Sequence, residues 1–203
     1  MPQPVLGFLA LVIAYFLGAI PFGFLVVKFK HGKDVRDEGS GNIGATNVLR
    51  TTGRLEGVLT LLLDIAKGSL AVWIAALLTD GSPLWTSLAA LAVIGGHAFP
   101  IFLKFKGGKA VASFIGAFLY LTPLPLLLVL LLFVIVVAVT RQISAGSVIA
   151  AGMFPIGVWM ILHPPIPILF AALVAAIFII YRHKSNLERI RAGTENVFSW
   201  NKR

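Results

Sequence analysis

Cysteine is absent from the sequence, which excludes disulfide bonds and metal sites that depend on thiolate ligands. Charge is also scarce, since only 12% of the 203 residues are charged and only eight are acidic. The acidic residues are scattered along the chain, so no carboxylate cluster of the kind that holds a divalent cation is predicted. We therefore expect no metal site and no cofactor.

Long apolar runs make up most of what is present. Hydrophobic residues account for 58% of the chain and the mean hydropathy is +0.94, values typical of an integral membrane protein with several spans. The runs are continuous rather than alternating, which favours helices over a closed β-barrel. The sequence therefore predicts an all-α integral membrane protein with a single membrane domain over 1–203. The net charge of +9 agrees with basic residues on the inner side of a membrane, and no nucleic-acid partner is expected.

The N-terminal apolar run has neither the basic leading segment nor the small-residue cleavage site of a secretory signal peptide. Lys28, Lys30 and Lys33 instead follow the run, which indicates a retained first helix with its N-terminus outside. Pro21 is expected to kink this helix near its inner end.

Seven transmembrane helices are predicted, with the C-terminus in the cytoplasm. The region 110–139 is compatible with one long tilted helix or with two short helices broken at Thr122-Pro123-Leu124-Pro125. Two passes leave none of the 17 Lys and Arg residues outside, whereas one pass would place Arg141 outside, so we predict two short central helices. The expected helices cover 5–27, 57–78, 84–103, 110–121, 126–139, 147–162 and 166–181.

A polar, glycine-rich stretch separates the first two helices and reads Gly39-Ser40-Gly41-Asn42-Ile43-Gly44-Ala45-Thr46-Asn47-Val48-Leu49-Arg50. It satisfies the G-x-G-x-x-G pattern, but no strand precedes it, so a dinucleotide site is only weakly indicated. One interpretation is a flexible connecting loop. The other is an anion-binding loop, because glycines let backbone N–H groups approach a ligand while hydroxyl, amide and guanidinium groups add donors.

Three further polar segments, 104–109, 140–147 and 182–195, fall on the same membrane face in this topology. The first two each precede a predicted helix, whose N-terminal N–H groups favour an anion. In the third, His183 and Asn186 are three residues apart and share a helical face. Basic residues at these positions are also expected from topology alone, and His183 is equally compatible with a place at the membrane interface. Together the four segments resemble a phosphate site.

Three more polar residues lie within predicted helices. Asp64 and Lys67, three residues apart, are predicted to form an intramembrane ion pair with a structural role. His97 is interpreted as an interior histidine with its hydrogen bonds satisfied rather than as a catalyst.

Three stretches resemble, in the right order, the signature motifs of the bacterial membrane glycerol-3-phosphate acyltransferases that use acyl phosphate as donor: Ser40-Gly41-Asn42-Ile43-Gly44-Ala45-Thr46-Asn47 with Arg50, Lys106-Gly107-Gly108-Lys109-Ala110-Val111-Ala112, and His183-Lys184-Ser185-Asn186-Leu187-Glu188-Arg189 running to Gly193-Thr194-Glu195. The chain departs from the family pattern at Ala110 and Ser113, where Gly and Thr are expected. We call the three stretches the first, second and third motifs.

This resemblance implies an enzyme of the bacterial inner membrane, with its active site on the cytoplasmic face. It would acylate the 1-hydroxyl of glycerol 3-phosphate from a long-chain acyl phosphate, giving lysophosphatidic acid and phosphate, the first committed step of phospholipid synthesis. The donor is an activated anhydride and no G-x-S-x-G motif is present, so direct transfer without an acyl-enzyme is expected. The family suggests that a substrate phosphate takes the proton, with His183 as the alternative base. The acyl tail would enter from membrane lipid, and a monomer is expected.

The site residues follow from the residue types together with this resemblance. The predicted catalytic group comprises Ser40, Thr46, Lys109, Ser147, His183 and Asn186. The predicted substrate-binding group comprises Gly41, Asn42, Gly44, Asn47, Arg50, Lys106, Gly107, Gly108, Arg141, Ser144 and Glu195. Within these groups, Ser40, Arg50 and Lys109 are expected to hold phosphate.

Two other functional classes are compatible with parts of the sequence. A transporter for an organic phosphate would use the same basic, glycine-rich face, but its polar residues would lie near the membrane midplane and an internal repeat would be expected. A non-catalytic scaffold that binds anionic lipid explains the positive charge but not the spacing of the first motif.

Overall fold

The computed structural model of the chain describes residues 2–198, and within that range every regular element is helical. Helices α1 to α10 cover, in order, Gln3–Ala19, Phe22–His31, Ala45–Thr51, Arg54–Leu78, Pro83–Ala98, Val111–Leu121, Pro123–Thr140, Ile143–Leu162, Ile166–Arg182 and Lys184–Arg191. Short 3₁₀ turns occur at Val35–Asp37 and Ile101–Leu103. The chain divides into two compact units, Met1–Leu121 and Thr122–Arg203.

Five helical segments are long and apolar enough to cross a membrane, or six if α9 and α10, which meet at an angle of 55°, count as one bent span. Helix α6 is apolar but has only 11 residues. The all-helical membrane architecture is thus confirmed, while the count of seven spans and the sidedness of the termini stay predictions. Of the basic residues predicted on the inner side, Lys202 and Arg203 lie outside the described residues.

In the first unit, α1 packs along α5 and α4 packs along α6. The helices of each pair approach closely because a glycine of one helix contacts the backbone of the other. A Cβ at Gly18 would collide with the backbone of Val93, and one at Gly116 would collide with the backbone of Ile65. The predicted kink at Pro21 is confirmed as a break, since α1 ends at Ala19 and α2 begins at Phe22. The first predicted helix is therefore two helices, and the 3₁₀ turn at Val35–Asp37 lies between α2 and the first motif.

The region 110–139 contains two helices broken at Thr122, as predicted, but only the first of them is short. The second begins at Pro123 rather than at 126 and runs for 18 residues. The reason is that Pro123 and Pro125 occupy the first turn of α7. Backbone N–H groups in the first turn of a helix have no acceptor within the helix, so proline loses no hydrogen bond there, and its fixed φ is compatible with a helix. The prediction of two short central helices is therefore wrong for the second one.

In the second unit, α8 packs between α7 and α9. Helix α8 begins at Ile143, four residues before the predicted start, so Ser144 and Ser147 lie within its first turns instead of ahead of it. The prediction that 140–147 precedes a helix is corrected accordingly.

Candidate functional site

The first motif is held in shape by one buried side chain, Asn47, which is 2% exposed. Its Nδ2 donates to the carbonyl oxygens of Val35 at 3.1 Å, Glu38 at 3.1 Å and Asn42 at 2.9 Å. Its Oδ1 accepts from the backbone N–H of Ser40 at 2.8 Å. Because an amide has only two N–H donors and one oxygen, these contacts occupy the donors and engage the oxygen. Asn47 thus organises the loop around itself.

Glycines make this arrangement possible. Gly39 and Gly41 have φ values of +63° and +67°, in the left-handed region that favours glycine. A Cβ at Gly39 would also collide with the side chain of Asn47. Asn42 adds a local bond, since its Oδ1 accepts from the backbone N–H of Gly44 at 2.9 Å just before α3 begins.

Several other residues of the first motif divide into exposed polar residues and buried apolar residues. Ser40, Thr46 and Arg50 are exposed. The apolar residues Ile43 and Val48 are buried in a small cluster that also contains Val27, Val35 and Leu103. Leu103 closely precedes the second motif in sequence, so this cluster packs the approach to the second motif against the first motif.

The second motif is anchored to the end of α5. The backbone N–H groups of Gly107 and Gly108 donate to the carbonyls of Ala98 and His97, both at 3.2 Å. A Cβ on Gly107 would collide with the His97 carbonyl oxygen, and one on Gly108 with the imidazole of His97. These glycines therefore let the loop lie directly on α5. The loop leaves Lys106 exposed and Lys109 half-buried.

Ala110 joins this loop to α6 with φ of +62°, a left-handed conformation. This is one of the two positions at which the sequence departs from the family pattern. The conformation explains why glycine is expected there, because an L-residue with a Cβ is disfavoured by about 1–2 kcal/mol in that region.

The predicted intramembrane pair is confirmed, with Asp64 Oδ1 and Lys67 Nζ 2.8 Å apart. His97 is buried, as predicted, and its Nδ1 lies 3.1 Å from Ser113 Oγ and 3.6 Å from Asp64 Oδ1. Sequence reasoning missed this connection, because Ser113 lies on α6 and nothing in its spacing ties it to α5.

In the second unit, Glu195 is the centre of a cluster of polar side chains. Its Oε1 accepts from Ser144 Oγ at 2.9 Å and from Asn186 Nδ2 at 2.7 Å, and its Oε2 accepts from Arg189 Nε at 2.8 Å. Burial by itself would raise the pKa of Glu195, but the hydrogen bonds from Asn186, Ser144 and Arg189 outweigh it and lower that pKa. The carboxylate is thus ionised and fully engaged.

Three more predicted residues lie near the ends of helices in this unit. His183 is 3% exposed, and its Nδ1–H donates to the carbonyl of Ile179 at 2.8 Å, since a carbonyl can only accept. Ser147 is buried and donates to the carbonyl of Ile143 at 2.9 Å. Arg141 is exposed immediately after α7, with φ of +58°.

The structure therefore collects the predicted residues into two groups. The first and second motifs share the first unit, and the remaining residues, Arg141, Ser144, Ser147, His183, Asn186 and Glu195, share the second. Within residues 2–198, no group of three or more His, Asp or Glu side chains is arranged to hold a metal ion.

Comparison with known proteins gives a consistent result. A family model described as "Glycerol-3-phosphate acyltransferase" matches residues 8–193. The chain is 48% identical to the glycerol-3-phosphate acyltransferase of Trichlorobacter lovleyi over 91% of this chain and 94% of that protein. It is 46% identical to the protein of the same name from Geobacter sulfurreducens over 92% and 94%.

Among solved structures, two crystal structures of PlsY, an integral membrane glycerol 3-phosphate acyltransferase, resemble this chain. The glycerol 3-phosphate form matches with a TM-score of 0.89 and 36% identity over 95% of this chain and 96% of that one. The form with lysophosphatidic acid matches with a TM-score of 0.86 and 34% identity over 95% of each.

Proposed function

The chain belongs to the glycerol-3-phosphate acyltransferase family, and on that premise we propose that it acylates glycerol 3-phosphate with acyl phosphate as the donor. The 1-hydroxyl oxygen attacks the acyl carbonyl carbon, the bond from that carbon to the phosphate oxygen breaks, and orthophosphate leaves. The hydroxyl proton passes to a substrate phosphate. The products are lysophosphatidic acid and inorganic phosphate, at the first step of phospholipid synthesis.

The observation that carries this proposal is that, in the first unit, buried apolar residues hold the two motifs in place while polar residues of the first motif are exposed. The first motif and the approach to the second pack on one apolar cluster, while Ser40, Thr46 and Arg50 are left exposed. A guanidinium and an ammonium, from Arg50 and Lys109, are suited to a phosphate group because charge-assisted hydrogen bonds to anions are short and strong. We assign phosphate binding to these two residues with Ser40.

Most of the remaining residues of the first and second motifs are proposed to shape the loops that carry the substrate-binding residues. Asn47, Asn42, Gly41 and Gly44 shape the first loop that presents Ser40 and Thr46. Gly107 and Gly108 hold the second loop on α5, so their contribution is to place Lys109, with Lys106 adding positive charge. Thr46 is assigned to the glycerol hydroxyls.

The second group, taken by itself, is assigned the following roles. Glu195 fixes the side chains of Ser144 and Asn186, which suits a positioning role better than contact with an anionic substrate. The Nδ1–H of His183 donates to a carbonyl and fixes the tautomer of the ring, and we assign this side chain to orienting a phosphate oxygen or accepting a proton. Asn186 is assigned to the acyl carbonyl, where donors stabilise developing negative charge. Ser147 donates its one hydroxyl proton to the Ile143 carbonyl, so it is assigned to accept a hydrogen bond from a glycerol hydroxyl. Arg141 adds positive charge.

Transfer is proposed to be direct, because the mixed anhydride is already activated and needs no covalent enzyme intermediate. Holding the two substrates together removes much of the entropic part of the barrier. We further propose seven spans, with the N-terminus outside and the active site on the cytoplasmic side of a bacterial inner membrane, in a monomer of one membrane domain. The acyl chain reaches the site from the lipid.

The experiment is release of orthophosphate by purified protein in detergent with EDTA, given glycerol 3-phosphate and a long-chain acyl phosphate. Release should require both substrates. With glycerol 3-phosphate well below its KM, release should fall at least about 100-fold in Lys109→Ala, because losing a charge-assisted contact to phosphate weakens substrate and transition-state binding alike. Lys104→Ala is the matched control, since Lys104 is an exposed lysine five residues earlier, and should keep turnover within about threefold.

Acyl-CoA offered in place of acyl phosphate should give no product. No orthophosphate release from folded protein, or lysophosphatidic acid formed equally well from acyl-CoA with release of CoA, would contradict the proposal. Flux of a labelled organic phosphate into proteoliposomes would then test the transporter interpretation.

A role for His183 as base is tested by His183→Gln. The proposal predicts reduced but measurable turnover, whereas complete loss with intact binding of glycerol 3-phosphate would assign the proton to His183 instead.

A further inference from the structure

A chain of buried polar side chains runs through the first unit and is not used by the proposed chemistry. It begins on α4, where Asp64 and Lys67 are one turn apart and pair at 2.8 Å, with their side chains 2% and 3% exposed. Lys67 Nζ also donates to the carbonyl of Ile20 at 2.8 Å, in the break between α1 and α2. An ion pair inside an apolar span is costly to bury, so its presence calls for a function.

The chain continues from α4 to α5 and α6. Asp64 Oδ1 lies 3.6 Å from His97 Nδ1, and Ser113 Oγ lies 3.1 Å from the same nitrogen. A carboxylate oxygen beside Nδ1 favours the tautomer with its proton on Nδ1. The imidazole is thus fixed by two helices other than its own.

His97 in turn supports the second motif. Its backbone carbonyl accepts the N–H of Gly108 at 3.2 Å. Its ring lies directly beneath Gly108, because a Cβ at that position would collide with Nε2. A shift of the ring therefore displaces Gly108 and, with it, the adjacent Lys109.

We propose that His97, held by Asp64 and Ser113, is a positioning residue for the second-motif loop that carries Lys109. His97 itself is proposed to contact no substrate. Its effect on the reaction is transmitted through the backbone of Gly108. The inference rests on the proposed function only in that the loop binds a substrate phosphate.

The test uses two substitutions of Ser113 with a matched control. Ser113→Ala removes the hydroxyl that faces Nδ1, while Ser113→Thr keeps it and restores the residue expected in the family. Ser87→Ala is the control, since Ser87 is also buried, lies on α5, and its hydroxyl has no hydrogen-bond partner within the described part of the chain.

We expect Ser113→Ala to change KM much more than kcat. Ser113→Ala should raise KM for glycerol 3-phosphate about tenfold and change kcat by less than about threefold, because a displaced phosphate ligand weakens ground-state and transition-state binding alike. Ser113→Thr and Ser87→Ala should match wild type. Equal KM values in all four proteins, or equal losses in all three variants, would overturn the proposal.

A second variant keeps the proposal testable if Ser113→Ala does not fold. His97→Asn retains an amide near the position of Nδ1 but lacks the ring beneath Gly108, and should raise KM about as much as Ser113→Ala. Wild-type KM in folded His97→Asn would overturn the proposal.

Equilibrium binding of glycerol 3-phosphate to the purified proteins separates this inference from the proposed function. If wild type binds but does not transfer acyl groups, weakened binding in Ser113→Ala supports the positioning role while the proposed function fails. If wild type turns over and Ser113→Ala binds as tightly as Ser87→Ala, the positioning role fails and the function stands. Absence of both binding and turnover in wild type overturns both.

Discussion

Asn47 in the first unit and Glu195 in the second are both buried polar side chains around which several others are arranged. Asn47 is 2% exposed, lies in the first turn of α3, and bonds to backbone groups of the segment that precedes this helix. Glu195 is 9% exposed and bonds to side chains of three other residues, Ser144, Asn186 and Arg189. In both cases a polar residue of a predicted binding motif is engaged within the protein, and the proposed substrate contacts are assigned to its neighbours.

The difference between the two residues is charge. Asn47 is neutral and mainly donates, so it shapes a loop independently of pH. Glu195 is an ionised acceptor, and its lowered pKa ties the second cluster to pH. Substitutions at the two residues should therefore differ in the size of their effect and in its dependence on pH.

The largest loss is expected for Asn47→Ala, which removes the four hydrogen bonds that organise the first motif. Each such bond contributes about 1 kcal/mol net, and buried groups left unpaired cost more. Turnover should fall by at least about 100-fold and the unfolding temperature should drop. Asn42→Ala removes the hydrogen bond from the Gly44 N–H in the same loop and should lower turnover about tenfold or less. Equal turnover in wild type and Asn47→Ala would show that the loop does not depend on this residue.

A smaller loss is expected for Glu195→Gln. Glutamine offers only one acceptor oxygen, so its amide nitrogen must face one of the donors that the carboxylate now accepts. We expect turnover to fall about tenfold, as for one misplaced buried hydrogen bond. Glu188→Gln, at an exposed position of α10, should leave turnover unchanged. If Glu195→Gln is as active as Glu188→Gln, Glu195 does not position the second cluster.

The pH dependence separates the two residues further. Because the pKa of Glu195 is lowered in the folded protein, its stabilising effect is fully present above the ordinary carboxyl pKa of about 4.3 and is lost as pH falls through the lowered value. The difference in unfolding temperature between wild type and Glu195→Gln should therefore shrink below about pH 4. The difference between wild type and Asn47→Ala should stay constant. If the two differences in unfolding temperature changed with pH in the same way, the distinction between an ionised Glu195 and a neutral Asn47 would be contradicted.

The smallest effect is a gain. Ala110→Gly relieves the left-handed φ of +62° in the second-motif loop and should stabilise the protein by up to about 1 kcal/mol. Ala112→Gly, two residues later inside α6, should instead destabilise it by about as much. Thermal unfolding of both variants measures the sign, and a fall in stability for Ala110→Gly would contradict the strain assigned to that position.

Much of the fold could be predicted from the sequence, because apolar length and charge placement are one-dimensional signals. The break at Pro21 and the division at Thr122 follow from proline and from the positions of basic residues. The start of α7 was missed because Pro123 was treated as a helix breaker, although in the first turn of a helix proline is well tolerated.

The site could be predicted as a set of residues but not as a set of roles. Residue types, with the family resemblance, identify Ser40, Arg50 and Lys109 as candidate ligands of phosphate and Asn47 as a candidate substrate-binding residue. Only the structure distinguishes Asn47, which is buried and engaged, from Arg50, which is exposed. The contacts among Asp64, His97 and Ser113 join three helices and have no signature in sequence spacing.

The most direct measurement is an experimental structure of the protein with glycerol 3-phosphate bound. The account predicts the phosphate within hydrogen-bonding distance of the Arg50 and Lys109 side chains, with the four hydrogen bonds of Asn47 unchanged. A phosphate held by the amide of Asn47, or one that touches neither cation, would contradict it.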